Sequence, residues 1–102
     1  MIYLSGKITG NPDYEEDFRK AEDYMKALGL VGKCAIDENS TFYNPAHLPD
    51  GKTPVEYMRI CFAALEMASI VVMLPNWTDS AGAKLEHDYA KYIGKKIIYL
   101  ST

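Results

Sequence analysis

Apolar residues fall along this chain in two patterns. Residues 2 to 5 (Ile-Tyr-Leu-Ser), 70 to 74 (Ile-Val-Val-Met-Leu) and 97 to 100 (Ile-Ile-Tyr-Leu) are short, nearly continuous runs of strand length. Between them, Phe18, Ala21, Met25 and Leu28 recur at i, i+3, i+7 and i+10, and Val55, Met58, Phe62 and Leu65 repeat that spacing. Leu85, Tyr89, Tyr92 and Ile93 form a third stripe. Runs of the first kind read as strands buried on both faces, and stripes of the second kind as one face of a helix.

The punctuation agrees with this division. Asn11-Pro12 supplies a cap and first-turn pair, and Thr53-Pro54-Val55-Glu56 is a T-x-x-E capping box with proline at the first helical position. Gly29 and Gly94 stand where the first and third helices should end, and Pro75 closes the run at 70 to 74. The middle is less regular. Residues 30 to 36 read as a second strand interrupted by Gly32 and Lys33, 37 to 41 as a turn, Phe42-Tyr43-Asn44-Pro45 as a short extended piece, and 46 to 52 as a loop able to cover a ligand.

Strands alternating with helices through short loops predict a three-layer α/β/α sandwich around a mostly parallel sheet of four or five strands, of the Rossmann- or flavodoxin-like kind. Residues 2 to 5 and 70 to 74 belong side by side at its centre. Ligands bind such sheets at the carboxyl ends of the strands, which here open into the loops 6 to 10 and 76 to 80.

Length and charge narrow the function. With 102 residues, the chain predicts a single domain spanning 1–102. Three Phe, eight Tyr and one Trp in so small a domain point to some aromatic burial against another subunit. The net charge of −3, with lysines scattered rather than striped, argues against long nucleic acid as a partner. No apolar run reaches the roughly 20 residues that span a bilayer. Cys34 and Cys61 show no metal-ligand spacing, and no leader pattern is evident, so reduced thiols in a cytoplasm are expected, with no metal and no cofactor.

The most informative stretch is Asp79-Ser80-Ala81-Gly82-Ala83-Lys84-Leu85-Glu86. Gly82 and Glu86 are one turn apart on one helix face, so the missing Cβ leaves room for a ligand to cross the first turn and reach the carboxylate. Ser80 falls at the N-cap, where unpaired N–H groups and the helix dipole suit a hydroxyl or phosphate oxygen. The same three residues also fit a plain cap, a packing contact and an exposed acid. His87 follows Glu86 but points about 100° away on a helix, and His47 lies in the covering loop; both are expected at the surface.

Three segments in this order carry a family resemblance: Ile2-Tyr3-Leu4-Ser5-Gly6-Lys7-Ile8-Thr9-Gly10, Tyr57-Met58-Arg59, and Leu74-Pro75-Asn76-Trp77 followed by S-x-G-x-x-x-E. Together they resemble the nucleoside 2-deoxyribosyltransferase superfamily, in particular its short branch similar to the 2'-deoxynucleoside 5'-phosphate N-hydrolases. The resemblance implies a small-molecule nucleoside or nucleotide ligand. Glu86 would be the nucleophile that attacks the sugar C1' and displaces the base, which suits a carboxylate because it stabilises an oxocarbenium-like centre before bonding to it. Tyr3 would orient that carboxylate, although an aromatic strand residue also fits a plain core position.

By the same resemblance, Gly6, Lys7, Ile8, Thr9 and Gly10 wrap the substrate's 5' end, while Ser80 and Gly82 hold its 5' oxygen or phosphate. Trp77 would either stack on a base or contact a second subunit, and relatives that build the site beside a subunit interface imply a homodimer or larger homo-oligomer. Two positions depart from the pattern. Thr9 stands where the related hydrolases carry an arginine, leaving Lys7 as the loop's point charge, and Cys61 stands where many members carry an aspartate. Three functions therefore compete: cleavage or exchange of an N-glycosidic bond, nucleotide binding without turnover as a sensor or sequestering protein, and a plain interaction module.

Overall fold

The computed structural model describes residues 1–28, 30–31, 34–35, 42–48 and 51–101. Its elements are β1 (Ile2–Ser5), α1 (Tyr14–Leu28), β2 (Leu30–Val31), β3 (Cys34–Ala35), β4 (Phe42–Tyr43), α2 (Pro54–Met67), β5 (Ile70–Met73), α3 (Ala81–Tyr92) and β6 (Lys96–Tyr99). Short 3-10 turns at Pro45–His47 and Trp77–Asp79 precede α2 and α3.

The two runs without polar alternation sit in the middle, as two-sided burial requires. The sheet order is β4-β1-β5-β6, and every neighbouring pair is parallel. Ile2 pairs with Ile70 and Ser5 with Met73, so β1 and β5 end level with each other. All eight residues of these two strands are buried. Their side chains divide by parity. Ile2, Leu4, Ile70 and Val72 meet Phe18, Ala21 and Met25 of α1. Tyr3, Val71 and Met73 meet Cys61, Leu65, Ala83 and Ala90 of α2 and α3 on the other face. The result is a three-layer α/β/α sandwich.

The expected strand across 30 to 36 does not join this sheet. Leu30–Val31 pairs antiparallel with Cys34–Ala35 as a separate two-stranded piece. Residues 29, 32–33, 36–41 and 49–50, which include Gly29 and the whole of the expected turn, lie outside the described residues, as do the side chains of Leu28 and His47. Helix α1 begins at Tyr14, two residues after Pro12, because Asn11 forms an Asx turn in which its Oδ1 accepts from the Asp13 N–H at 3.1 Å. The capping box of α2 is complete: Glu56 N–H donates to Thr53 Oγ1 at 3.2 Å and Thr53 N–H to Glu56 Oε1 at 3.0 Å.

The expected apolar stripe of α2 holds at Leu65 and fails at Val55, and that of α3 is out of phase. On α2 the buried positions are Cys61, Ala64 and Leu65, whereas Val55 is 61% exposed. Phe62 stacks on Tyr89 of α3 at 4.9 Å. On α3 the buried positions are Ala83, Glu86, His87 and Ala90, while Leu85 and Tyr92 are exposed. Polar residues occupy the inward face of α3, which a search for apolar periodicity reads the wrong way round. Among the described residues no helix is long and apolar enough to cross a membrane.

Candidate active site

The alternation of β1 fixes the floor of the site. Tyr3 and Ser5 project from one face of the strand toward α3, and the inward face of α3 presents Glu86 to them. Tyr3 Oη donates to Glu86 Oε2 at 2.5 Å, and Ser5 Oγ donates to Oε1 at 2.7 Å. Both hydroxyls are fully buried and Glu86 is 6% exposed. Each carboxylate oxygen thus has its own donor, which fixes the plane of the group.

Electrostatics follow from this enclosure. Burial raises the Glu86 pKa, and hydrogen bonds from Tyr3, Ser5 and Cys61 oppose that rise by favouring the ionised form. Burial and then the Glu86 charge push the Tyr3 phenol well above its ordinary value, so it remains a donor. The Cys61 thiol is pushed up to about 11, chiefly by burial, and is therefore neutral at pH 7.

A cavity of about 760 Å³ opens over the carboxylate. Gly6, Ile8 and Thr9 line it from the loop after β1, Ser80 and Gly82 from the start of α3, and Cys61 from α2. Ser80 is the N-cap, its Oγ accepting from the Ala83 N–H at 3.1 Å. A Cβ on Gly82 would meet only Met58 Sδ at 3.6 Å and Ser80 Oγ at 3.9 Å, so no neighbouring protein atom demands glycine there. Gly6 differs: a Cβ would lie 2.9 Å from Leu74 Cβ. The loops after β1 and β5 cross at this point, and the Lys7 N–H donates to Asn76 Oδ1 at 3.1 Å to tie them together.

Of the residues expected at the site, Tyr3, Gly6, Ile8, Thr9, Ser80, Gly82 and Glu86 converge on this carboxylate and cavity. Lys7, Gly10 and Trp77 are not among the cavity's lining residues. Gly10 has a positive φ of 77°, which makes it a turn residue, and the Lys7 side chain lies over it, Cε being 3.8 Å from where a Gly10 Cβ would stand. Trp77 stacks on His87 at 4.3 Å. His87 is not at the surface as expected; it is 8% exposed, with Nε2 2.6 Å from Tyr99 Oη. The aromatic ring of Trp77 therefore packs within the fold.

Ser5 and Asn76 fall within the segments that carry the resemblance, but the sequence assigns neither a role at the site. Ser5 is readable from its i+2 spacing to Tyr3, which puts both on one strand face, whereas the contact of Asn76 with Lys7 joins residues far apart in the chain. On the α1 side a crevice of about 500 Å³ lies near Lys20, Tyr24, Asn76 and Ser101 and lacks a comparable buried acid. Among the described residues no group of three or more His, Cys, Asp or Glu side chains is placed to hold a metal ion.

Fold and site together define a small parallel α/β protein with a buried, doubly hydrogen-bonded carboxylate beneath a cavity at the carboxyl end of its central strands. The chain belongs to the family described as "Domain of unknown function (DUF4406)", which matches it over residues 1–99. No curated protein and no solved structure matches it.

Proposed function

We propose that the protein cleaves or exchanges the N-glycosidic bond of a (deoxy)nucleoside or nucleoside 5'-monophosphate, with Glu86 as nucleophile. The observation that carries this reading is the pair of hydroxyls on Glu86. Tyr3 and Ser5 each hold one oxygen of a buried carboxylate beneath an open cavity, which favours attack along one direction. In the first step an oxygen of Glu86 bonds to the sugar C1' as the C1'–N bond breaks, and the base leaves with the bonding electron pair. In the second, water or another base attacks C1' and returns the carboxylate. Both steps pass through an oxocarbenium-like centre that the ionised Glu86 stabilises.

A second reading, nucleotide binding without turnover, is favoured by Cys61. Its thiol, neutral with a pKa of about 11, is a poor general acid for a departing base. Incubating the protein with a panel of nucleosides and 5'-monophosphates, with and without an acceptor base, separates the two. Free base or exchanged nucleoside supports turnover, and binding without release supports the second reading.

The assembly belongs to the same proposal. Val55 at 61% and Tyr92 at 88% exposure leave apolar surface on α2 and α3, which fits a cytoplasmic homodimer or larger homo-oligomer. Light scattering checks this, and a monomer at micromolar concentration would count against it.

A further inference from the structure

We infer that the cavity selects an uncharged nucleoside over the corresponding 5'-monophosphate. This deepens the glycosidic reading above and rests on it. The starting point is the axis of α3. From Glu86 back to Gly82 the helix rises about 6 Å, comparable with the reach across a furanose from C1' to its 5' oxygen. A sugar with C1' at Glu86 and its 5' end along this face therefore arrives at the first turn of the helix.

That end of the cavity is badly furnished for a phosphate. Asp79 lines it immediately beside Ser80. The Ser80 Oγ accepts from Ala83 N–H in the cap. The helix N-terminus offers free N–H groups, which suit one hydroxyl oxygen, but a phosphate would add up to two negative charges next to a carboxylate. Like charges set together in this way cost affinity.

The charged side chains among the described lining residues do not offset this, being one positive, the exposed Lys52, against two negative, Asp79 and Glu86. The Glu56 carboxyl is held below its ordinary range by its hydrogen bonds with the Thr53 cap, and the exposed Lys52 adds only the smallest contribution, as expected of a solvated, screened charge. From the loop after β1, Gly6, Ile8 and Thr9 reach the cavity and bring no charge, while the Lys7 stem lies over Gly10. A neutral 5'-hydroxyl fits this end, donating to Asp79 or accepting from the first turn of α3.

The test is calorimetric titration of the wild-type protein with the four common 2'-deoxynucleosides and, separately, their 5'-monophosphates. The nucleoside of the best-bound pair should bind at least about tenfold more tightly than its monophosphate. Asp79→Asn should narrow that ratio, mainly by tightening the monophosphate, and raised salt should narrow it too. A monophosphate that binds as well as its nucleoside overturns this inference and leaves the glycosidic reading standing. A ratio unmoved by Asp79→Asn overturns the role given to Asp79. Failure of every member of both series to bind at millimolar concentration sinks the inference and the glycosidic reading together.

Discussion

The Ser5 hydroxyl donates to Oε1 of Glu86 at 2.7 Å from the strand face that also carries Tyr3. Burial raises the Glu86 pKa, and these bonds limit the rise because they favour the charged form. Deleting either donor should therefore move the pKa further up. Ser5→Ala and Tyr3→Phe should each shift the rising limb of the turnover–pH profile to higher pH and lower turnover at pH 7 by about tenfold or more. Each should also cost about 1–3 kcal/mol of stability, measured by urea unfolding, since a buried acceptor loses its partner. Profiles that coincide with wild type would remove both hydroxyls from the mechanism.

Glu86→Gln keeps the shape of the side chain and loses the nucleophile. Turnover should fall about a thousandfold or more while ligand binding is largely retained. Stability should move the other way. The folded-state pKa of Glu86 is raised, so the native state holds its proton after the unfolded state has released its own. Wild-type stability then declines as pH rises from the ordinary carboxyl value near 4.5 through the raised one, and levels off above it. The variant should lack that decline and melt higher than wild type at pH 7 but not at pH 4. Base release that survives Glu86→Gln would defeat the proposed chemistry.

The two glycines of the site should respond in opposite ways. A Cβ on Gly6 would strike Leu74 at 2.9 Å, so Gly6→Ala should destabilise the fold by about 1–3 kcal/mol. A Cβ on Gly82 meets nothing nearer than 3.6 Å and projects from a helix. Gly82→Ala should leave stability unchanged or improve it by up to about 1 kcal/mol. It should nevertheless weaken nucleoside binding by about tenfold or more, because the new methyl group occupies cavity beside Glu86. Calorimetry paired with thermal unfolding distinguishes the two effects, and unchanged affinity in Gly82→Ala would show that the ligand does not cross the first turn of α3.

This contrast also shows what local pattern can disclose. The order of strands and helices was legible because β1 and β5 are unbroken apolar runs and Thr53 and Ser80 are strong caps, all properties of a few adjacent residues. The facing of α3 was not. Its inward side holds Glu86 and His87, whose burial depends on Tyr3, Ser5 and Tyr99, residues far away in the chain. The apolar Leu85 and Tyr92 lie on the outer side instead, with Tyr89 half-buried between the helices. Trp77 was open to two readings for the same reason, since only the folded chain brings His87 beneath its ring. Polar residues that are buried for chemistry defeat apolar periodicity, and α3 departs from the pattern where the site lies.

Cys61 supplies the last prediction. It is buried beside Tyr3 and Glu86, and its neutral thiol adds no charge to the site. Cys61→Asp would set a second carboxyl next to Glu86, and two acids so close cannot both ionise easily. One would keep a proton near neutral pH, and that proton is what a leaving base requires. If the protein is an enzyme, Cys61→Asp should raise turnover, turn a rising pH profile into a bell, and lower stability by about 1–3 kcal/mol through burial of the added polar group. Base release measured across pH 4 to 9 checks all but the last, which urea unfolding reads. A variant that stays folded, binds nucleoside and still releases no base at any pH would favour binding without turnover as the activity of this chain.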